Sequence, residues 1–329
     1  MKQIKKIISM MVLGLVLMFC NSIYVQAERV TQTAQTTNSV TVNFNVNELS
    51  LSRGSTLTGW TVTLQKYDNV NKVDVDVQPA VTLPANTTSY VFSNLTPGTS
   101  YYAKVEYSYK TSYGKAYTNT FASQEIKSTP GKVTGLHQAQ WWYYIEKVDF
   151  AWDEQNACKY EWVAYQKKKQ VANSTYESSS ASGSFNVKNN KLYTVKVRAY
   201  VDINGQKVYG DWSDETYLFT QPMISKKGIS ISGGKMKVKW GKIDGVNGYD
   251  VYVSTKEKSG HKKVASVKAS KGSVTIKKFK KKKFNKKKTY YVYVVAKKKV
   301  GSATYDSGRH YSTQYKKGNT TLLWTFSER

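Results

Sequence analysis

Side chains able to do acid–base, nucleophilic or metal chemistry are few in this chain of 329 residues. Its three histidines, His137, His261 and His310, are too scattered to spell a metal site or a catalytic triad. Asp74 and Asp76 offer two carboxylates for calcium or for general acid–base work. They alternate with Val73, Val75 and Val77, however, which is the pattern of a strand's solvent face. Gly228 to Lys235 has the look of a phosphate-binding loop, but its spacing is wrong by one and Met236 stands where Ser or Thr would hold magnesium. A strand and a Gly-Gly turn are expected there instead. Cys158 has no neighbouring histidine or cationic cluster and reads as an inert thiol or a chance surface residue. No catalytic residue, metal ligand or cofactor is assigned, and the chain is expected not to be an enzyme.

Charge pairing with a polyanion is the chemistry that the composition does supply. Lys and Arg total 50 against 22 Asp and Glu, a formal charge of +28. Residues 28–129 carry 8 basic and 7 acidic side chains and residues 130–221 carry 11 and 10, whereas residues 222–329 carry 28 and 5. Within that last segment Lys235, Lys237 and Lys239 alternate with Met236, Val238 and Trp240, so all three ammonium groups should leave one face of one strand. Lys277, Lys278, Lys280, Lys281, Lys282, Lys283, Lys286, Lys287 and Lys288 follow, on the strand and turn expected to lead into Tyr290. Teichoic or lipoteichoic acids, anionic headgroups, glycosaminoglycans and extracellular DNA are partners of suitable charge; the alternative is a solvated, solubilising face. Arg309 and Arg329 are the only arginines in the segment, so sequence-specific reading of nucleic acid is not expected.

Trp141, Trp142, Tyr143 and Tyr144 are consecutive aromatics. Alternation along a strand would send half of them outward, where they could stack on a glycan or a protein partner. The alternative is packing against a neighbouring domain, or an outer-face ladder beside Tyr160 and Trp162.

These residues must be positioned by strands. Apolar residues alternate with polar ones at Val40-Val42-Phe44, Val148-Phe150-Trp152 and Met236-Val238-Trp240, and no sustained helical period is visible beyond the N-terminal segment. Each triplet is followed by a second strand, at Gly59 to Val62, Lys159 to Val163 and Gly248 to Tyr252. A third, rich in Tyr and Val, follows at Tyr101 to Tyr107, Tyr193 to Tyr200 and Tyr290 to Ala296. One unit is used three times.

Leu95-Thr96-Pro97-Gly98-Thr99-Ser100-Tyr101 resembles the tyrosine corner of fibronectin type III domains, and Val187 to Tyr193 and Phe284 to Tyr290 keep its six-residue offset without the Pro-Gly. Tyr209-Gly210-Asp211-Trp212-Ser213 is similar to a phrase of the same family. The third unit looks most like the repeats of secreted Gram-positive bacterial proteins, and the first is the most divergent. The resemblance covers roughly residues 30 to 315. It implies an all-β chain of three tandem seven-stranded antiparallel sandwiches, with Tyr101, Tyr193 and Tyr290 as structural corners. It also implies that the strand of the Lys235 row and the strand of the later cluster share a sheet, merging the lysines into one patch.

Lys2, Lys5 and Lys6, an apolar run from Ile7 to Phe19 and the stretch ending Val25-Gln26-Ala27 read as a secretory signal peptide. The expected organisation is therefore a signal peptide over 1–27 and fibronectin type III-like domains over 28–129, 130–221 and 222–329, the last strongly basic. Pro130 and Pro222 fall at the two joins. Cleavage would leave Cys158 as the one cysteine and no transmembrane anchor. The expectation is a secreted protein, extracellular or loosely bound to the cell wall, acting in surface binding or adhesion. Its third domain would dock on an anionic cell-wall or host-surface polymer such as teichoic acid or a glycosaminoglycan. The alternative is an accessory carbohydrate-binding or spacer module of a polysaccharide-degrading system.

Overall fold

Alternating sequence becomes β-structure throughout the computed structural model, which describes residues 29–139, 147–174 and 177–324. The first sandwich comprises β1 (Val30–Gln35), β2 (Ser39–Phe44), β3 (Thr56–Asp68), β4 (Val73–Asp76), β5 (Val81–Pro84), β6 (Ser89–Ser93), β7 (Ser100–Lys110) and β8 (Ala116–Lys127). One sheet runs β1-β2-β6 and the other β4-β3-β7-β8, with β5 also on β3. Val40, Val42 and Phe44 leave β2 on its buried face, and Phe44 meets Trp60 of β3 with ring centroids 5.3 Å apart. The Trp60 indole is wholly buried, yet its N–H reaches the Ala85 carbonyl at 3.2 Å, so the largest core side chain leaves no polar atom stranded.

β4 departs from expectation. Val73 and Val75 are exposed along with Asp74 and Asp76, because the strand pairs with the last residues of β3, Gln65 to Asp68, which lie at the margin of the core.

The second sandwich comprises β9 (His137–Ala139), β10 (Lys147–Ala151), β11 (Lys159–Gln166), β12 (Lys169–Asn173), β13 (Ser182–Asn186), β14 (Leu192–Ile203), β15 (Gln206–Tyr209) and β16 (Thr216–Phe219). Its sheets run β13-β10-β9 and β12-β11-β14-β15, with β16 also on β14. The third comprises β17 (Ile224–Ser232), β18 (Lys235–Trp240), β19 (Gly248–Ser254), β20 (Lys262–Lys268), β21 (Ser273–Ile276), β22 (Tyr290–Val300), β23 (Ala303–Asp306), β24 (Tyr311–Lys316) and β25 (Asn319–Trp324). These form β17-β18-β21 and β20-β19-β22-β24-β25, with β23 also on β22.

In each sandwich one position beside a long strand is split in two: β4 with β5 on β3, β15 with β16 on β14, β23 with β24 on β22. Counting each split position once gives the seven-strand plan three times, to which the third sandwich adds β25. The paired strands are antiparallel throughout, as in β11 with β14 and β19 with β22.

Packing divides the described residues into two units. The first holds Ser39–Asn94 and Tyr101–Ile126 with the strand that ends at Gln35; the second holds Thr36–Asn38, Leu95–Ser100 and the chain from Lys127 onward. The second and third sandwiches therefore share a unit, and side chains show why. Phe219 of β16 belongs to the core of the third sandwich, with Leu192 and Tyr217 packed against it. Gln221 is buried beside it. Its carboxamide oxygen accepts the His310 and Tyr311 N–H groups at 2.7 and 3.0 Å, and its nitrogen donates to the Tyr311 carbonyl at 3.0 Å.

Candidate polyanion-binding face

Lysine alternation on β18 has the expected result. Met236, Val238 and Trp240 are buried, and Lys235, Lys237 and Lys239 are exposed between them. β18 pairs with β21 so that Met236 faces Ile276, Lys237 faces Thr275 and Lys239 faces Ser273. Continuing that register by one residue brings the chain at Lys235 alongside the chain at Lys277.

Cluster lysines are placed differently from expectation. β21 ends at Ile276, so Lys277, Lys278, Lys280, Lys281, Lys282, Lys283, Lys286, Lys287 and Lys288 all lie in the connection between β21 and β22 rather than on a strand. A lysine run has too few apolar residues to sustain a buried face. Two phenylalanines hold it instead. Phe279 and Phe284 are buried, and Phe284 meets Tyr290 edge-on with centroids 5.2 Å apart. Phe279 and Lys282 exchange backbone hydrogen bonds of 2.9 and 3.0 Å, leaving Lys280 and Lys281 at the tip of the turn with φ of 49° and 66°. The Phe284 N–H donates to the Gly234 carbonyl at 2.9 Å. The aliphatic stem of Lys283 crosses Gly234 so closely that a β-carbon there would sit 3.1 Å from it. The stretch with the look of a phosphate loop is thus β17, a turn at Gly233 and Gly234 (φ 56° and 73°) and the start of β18, and that turn is where row and cluster meet.

All twelve lysines are exposed, and among the described residues none of them forms an ion pair. β17, β18, β21 and the connection after β21 contain no acidic residue. The described carboxylates of the third sandwich stand on the other sheet or its loops, at Asp244, Asp250, Glu257 and Asp306. Two of these are committed elsewhere. Lys297 and Lys263 approach Asp250 at 2.8 and 3.6 Å, and Lys167 of the second sandwich reaches Asp244 at 2.9 Å. Burial alone would raise the Asp250 pKa, but hydrogen bonds from Lys297 and Ser266 and the nearby lysine charge hold it below the usual range.

Of the three corner tyrosines, Tyr193 and Tyr290 are buried, and their hydroxyls accept the N–H groups of Lys188 and Asn285, both at 3.0 Å and both five residues upstream. Tyr101 is buried as well. A second set escaped the sequence. The Tyr160 hydroxyl accepts the Gln155 N–H at 2.6 Å and the Tyr249 hydroxyl accepts the Ile243 N–H at 2.7 Å. An upstream polar loop before a strand tyrosine is the only signal that could have found them. Trp141, Trp142, Tyr143 and Tyr144 lie outside the described residues.

His137 is exposed on β9, while His261 is half-buried with its ring 5.2 Å from that of Tyr293. Burial and the neighbouring Arg309 charge push the His261 pKa down to about 4. Cys158 is 3% exposed, and burial pushes its thiol up to about 12, which favours the inert alternative over a surface residue. Among the described residues no three His, Cys, Asp or Glu side chains gather as a metal-binding group.

Residues 25–123 match the family model described as "Fibronectin type III domain". That stretch is the unit ranked most divergent from sequence, although it alone keeps the Pro97-Gly98 turn before its corner tyrosine. No curated protein matches the chain. Among solved structures, "Crystal structure of chicken CNTN1 FN1-FN3 domains" is 14% identical, covers 84% of this chain and 96% of its own, and superposes with a TM-score of 0.26.

Proposed function

We propose that this protein is a secreted, non-enzymatic binding module of bacterial type that attaches to a cell surface through its third sandwich. The lysines of β18 and of the connection after β21 dock on an anionic polymer, a teichoic acid or a glycosaminoglycan. The observation that carries this reading is the segregation of charge: twelve exposed lysines occupy a sheet and loop with no carboxylate among them. A merely solubilising surface has no need to exclude acids, since interspersed charges of both signs keep a protein soluble with less self-repulsion. Each lysine near an anionic surface contributes about 1 kcal/mol, and attraction fades over about 8 Å at physiological salt. Several lysines on one face therefore suffice for retention that salt reverses.

The full chain without its leader is tested on heparin and teichoic-acid resins with a salt gradient. Retention is expected on at least one resin, and the triple variant Lys235→Glu, Lys237→Glu, Lys239→Glu should elute at clearly lower salt. Elution of parent and variant together, or no retention of the parent at low salt, refutes the docking.

A further inference from the structure

Among the described residues, the second sandwich has a cavity at one side. β12 and β13 are the edge strands of its two sheets, and residues of both line this half-open cavity of about 480 Å³. Trp162 supplies its accessible aromatic surface, and Trp152, Tyr160 and Phe185 behind it are buried in the core. Trp162 is fixed by an edge-on contact with Phe150, centroids 5.2 Å apart, and remains half-buried. The cavity keeps its shape through Gly183, where a β-carbon would lie 2.6 Å from the Phe150 ring and 2.9 Å from Trp162 Nε1. The rest of the lining is largely hydroxylic: Ser174, Ser178, Ser180, Ser182 and Ser184, with the Asn173 carboxamide. Some of these are already ordered, since the Ser180 and Ser182 hydroxyls lie 3.0 Å apart and Ser174 Oγ accepts the backbone N–H of Trp162 at 3.3 Å. Among the described residues no lysine or arginine lines the cavity, and Asp149 is the charged group there.

That lining selects a ligand class. A purely apolar ligand would strand the serine hydroxyls, and an anionic one would meet a carboxylate and no cation. A compact ring with apolar C–H faces and many hydroxyls satisfies both parts of that lining at once, and 480 Å³ lies within the range of small-ligand sites. We propose that this cavity binds a neutral sugar residue of a polysaccharide, with a ring face against Trp162 and its hydroxyls on the serines. The site is separate from the lysine face and does not depend on it.

Isothermal titration of the full chain without its leader tests this, using hexasaccharides of β-1,4-glucose, α-1,4-glucose, β-1,3-glucose, β-1,4-mannose and β-1,4-N-acetylglucosamine. At least one should bind with a Kd below about 1 mM. Trp162→Ala should weaken binding by about tenfold or more. Ser182→Arg, at the half-exposed mouth, should do the same, and it decides the matter if loss of the indole unfolds the sandwich. Trp141→Ala with Trp142→Ala, and the triple lysine-to-glutamate variant, should each bind as the parent does. Absence of heat with all five sugars overturns the proposal. So does binding that survives Ser182→Arg, or binding lost only with Trp141 and Trp142.

Discussion

The hydroxyls of Tyr160 and Tyr249 each hold one residue twice. They accept the N–H groups of Gln155 and Ile243 and return a hydrogen bond to the carbonyl of the same residue, at 3.3 Å in both. Single oxygens thereby satisfy two backbone groups of a loop, which lets an aromatic side chain be buried beside a turn with little polar cost. The corners at Tyr193 and Tyr290 were legible because their offset from an upstream apolar residue repeats. The pair at Tyr160 and Tyr249 was not, because their partners sit in loops whose course no periodicity reveals. Cys158 belongs to this scale too. Its thiol is buried and raised to about 12, so thiolate is scarce and access is blocked at neutral pH. An aromatic disulfide reagent should leave it unmodified in the native protein and label it fully after denaturation in guanidinium. Prompt labelling of the native chain would contradict the burial.

Two turns place consecutive lysines in the left-handed region. Lys167 and Lys168 join β11 to β12 with φ of 48° and 65°, and Lys280 and Lys281 repeat that geometry at the tip of the lysine connection. Two-residue turns of this hand favour Asn-Gly, because a side chain beyond Cβ gains nothing there and glycine pays no steric penalty. Lys280→Asn with Lys281→Gly should therefore stabilise the fold by about 1 kcal/mol, seen as a higher urea midpoint, while lowering the salt needed to elute the protein from a polyanion resin. An unchanged midpoint would show that the lysines occupy the turn without strain. At this scale sequence alternation located the central strands of every sandwich, because Val42, Phe150 and Val238 each sit on a face that must be buried. The splitting was invisible, although Val73-Asp74-Val75-Asp76 did read as a strand, since alternation does not reveal that two short strands share one partner. β25 escaped for a different reason: Leu322 and Leu323 form too short an apolar run to announce a strand. What completes it is the turn after β24, where Lys317 and Gly318 have φ of 50° and 90°.

The described residues form two packing units with very different charge. The repeat was legible as three similar stretches, but the sharing of a core across Pro222 was not, because Phe219 reads as an ordinary inward residue of its own strand until the third sandwich is seen around it. Calorimetry should accordingly show two unfolding transitions. Adding salt should raise the transition of the lysine-rich unit more than that of the first, because screening relieves self-repulsion only where like charges crowd. A single transition, or an equal response of both, would count against this division. At the outer margin of the first sandwich, β4 ends its sheet with valines and a row of peptide groups turned to water. Such a ledge invites a neighbour's strand to lie down on it. Asp74 and Asp76 stand on that ledge, so two copies approaching there would bring four negative charges together, a like-charge cost set against pairing of the two edges.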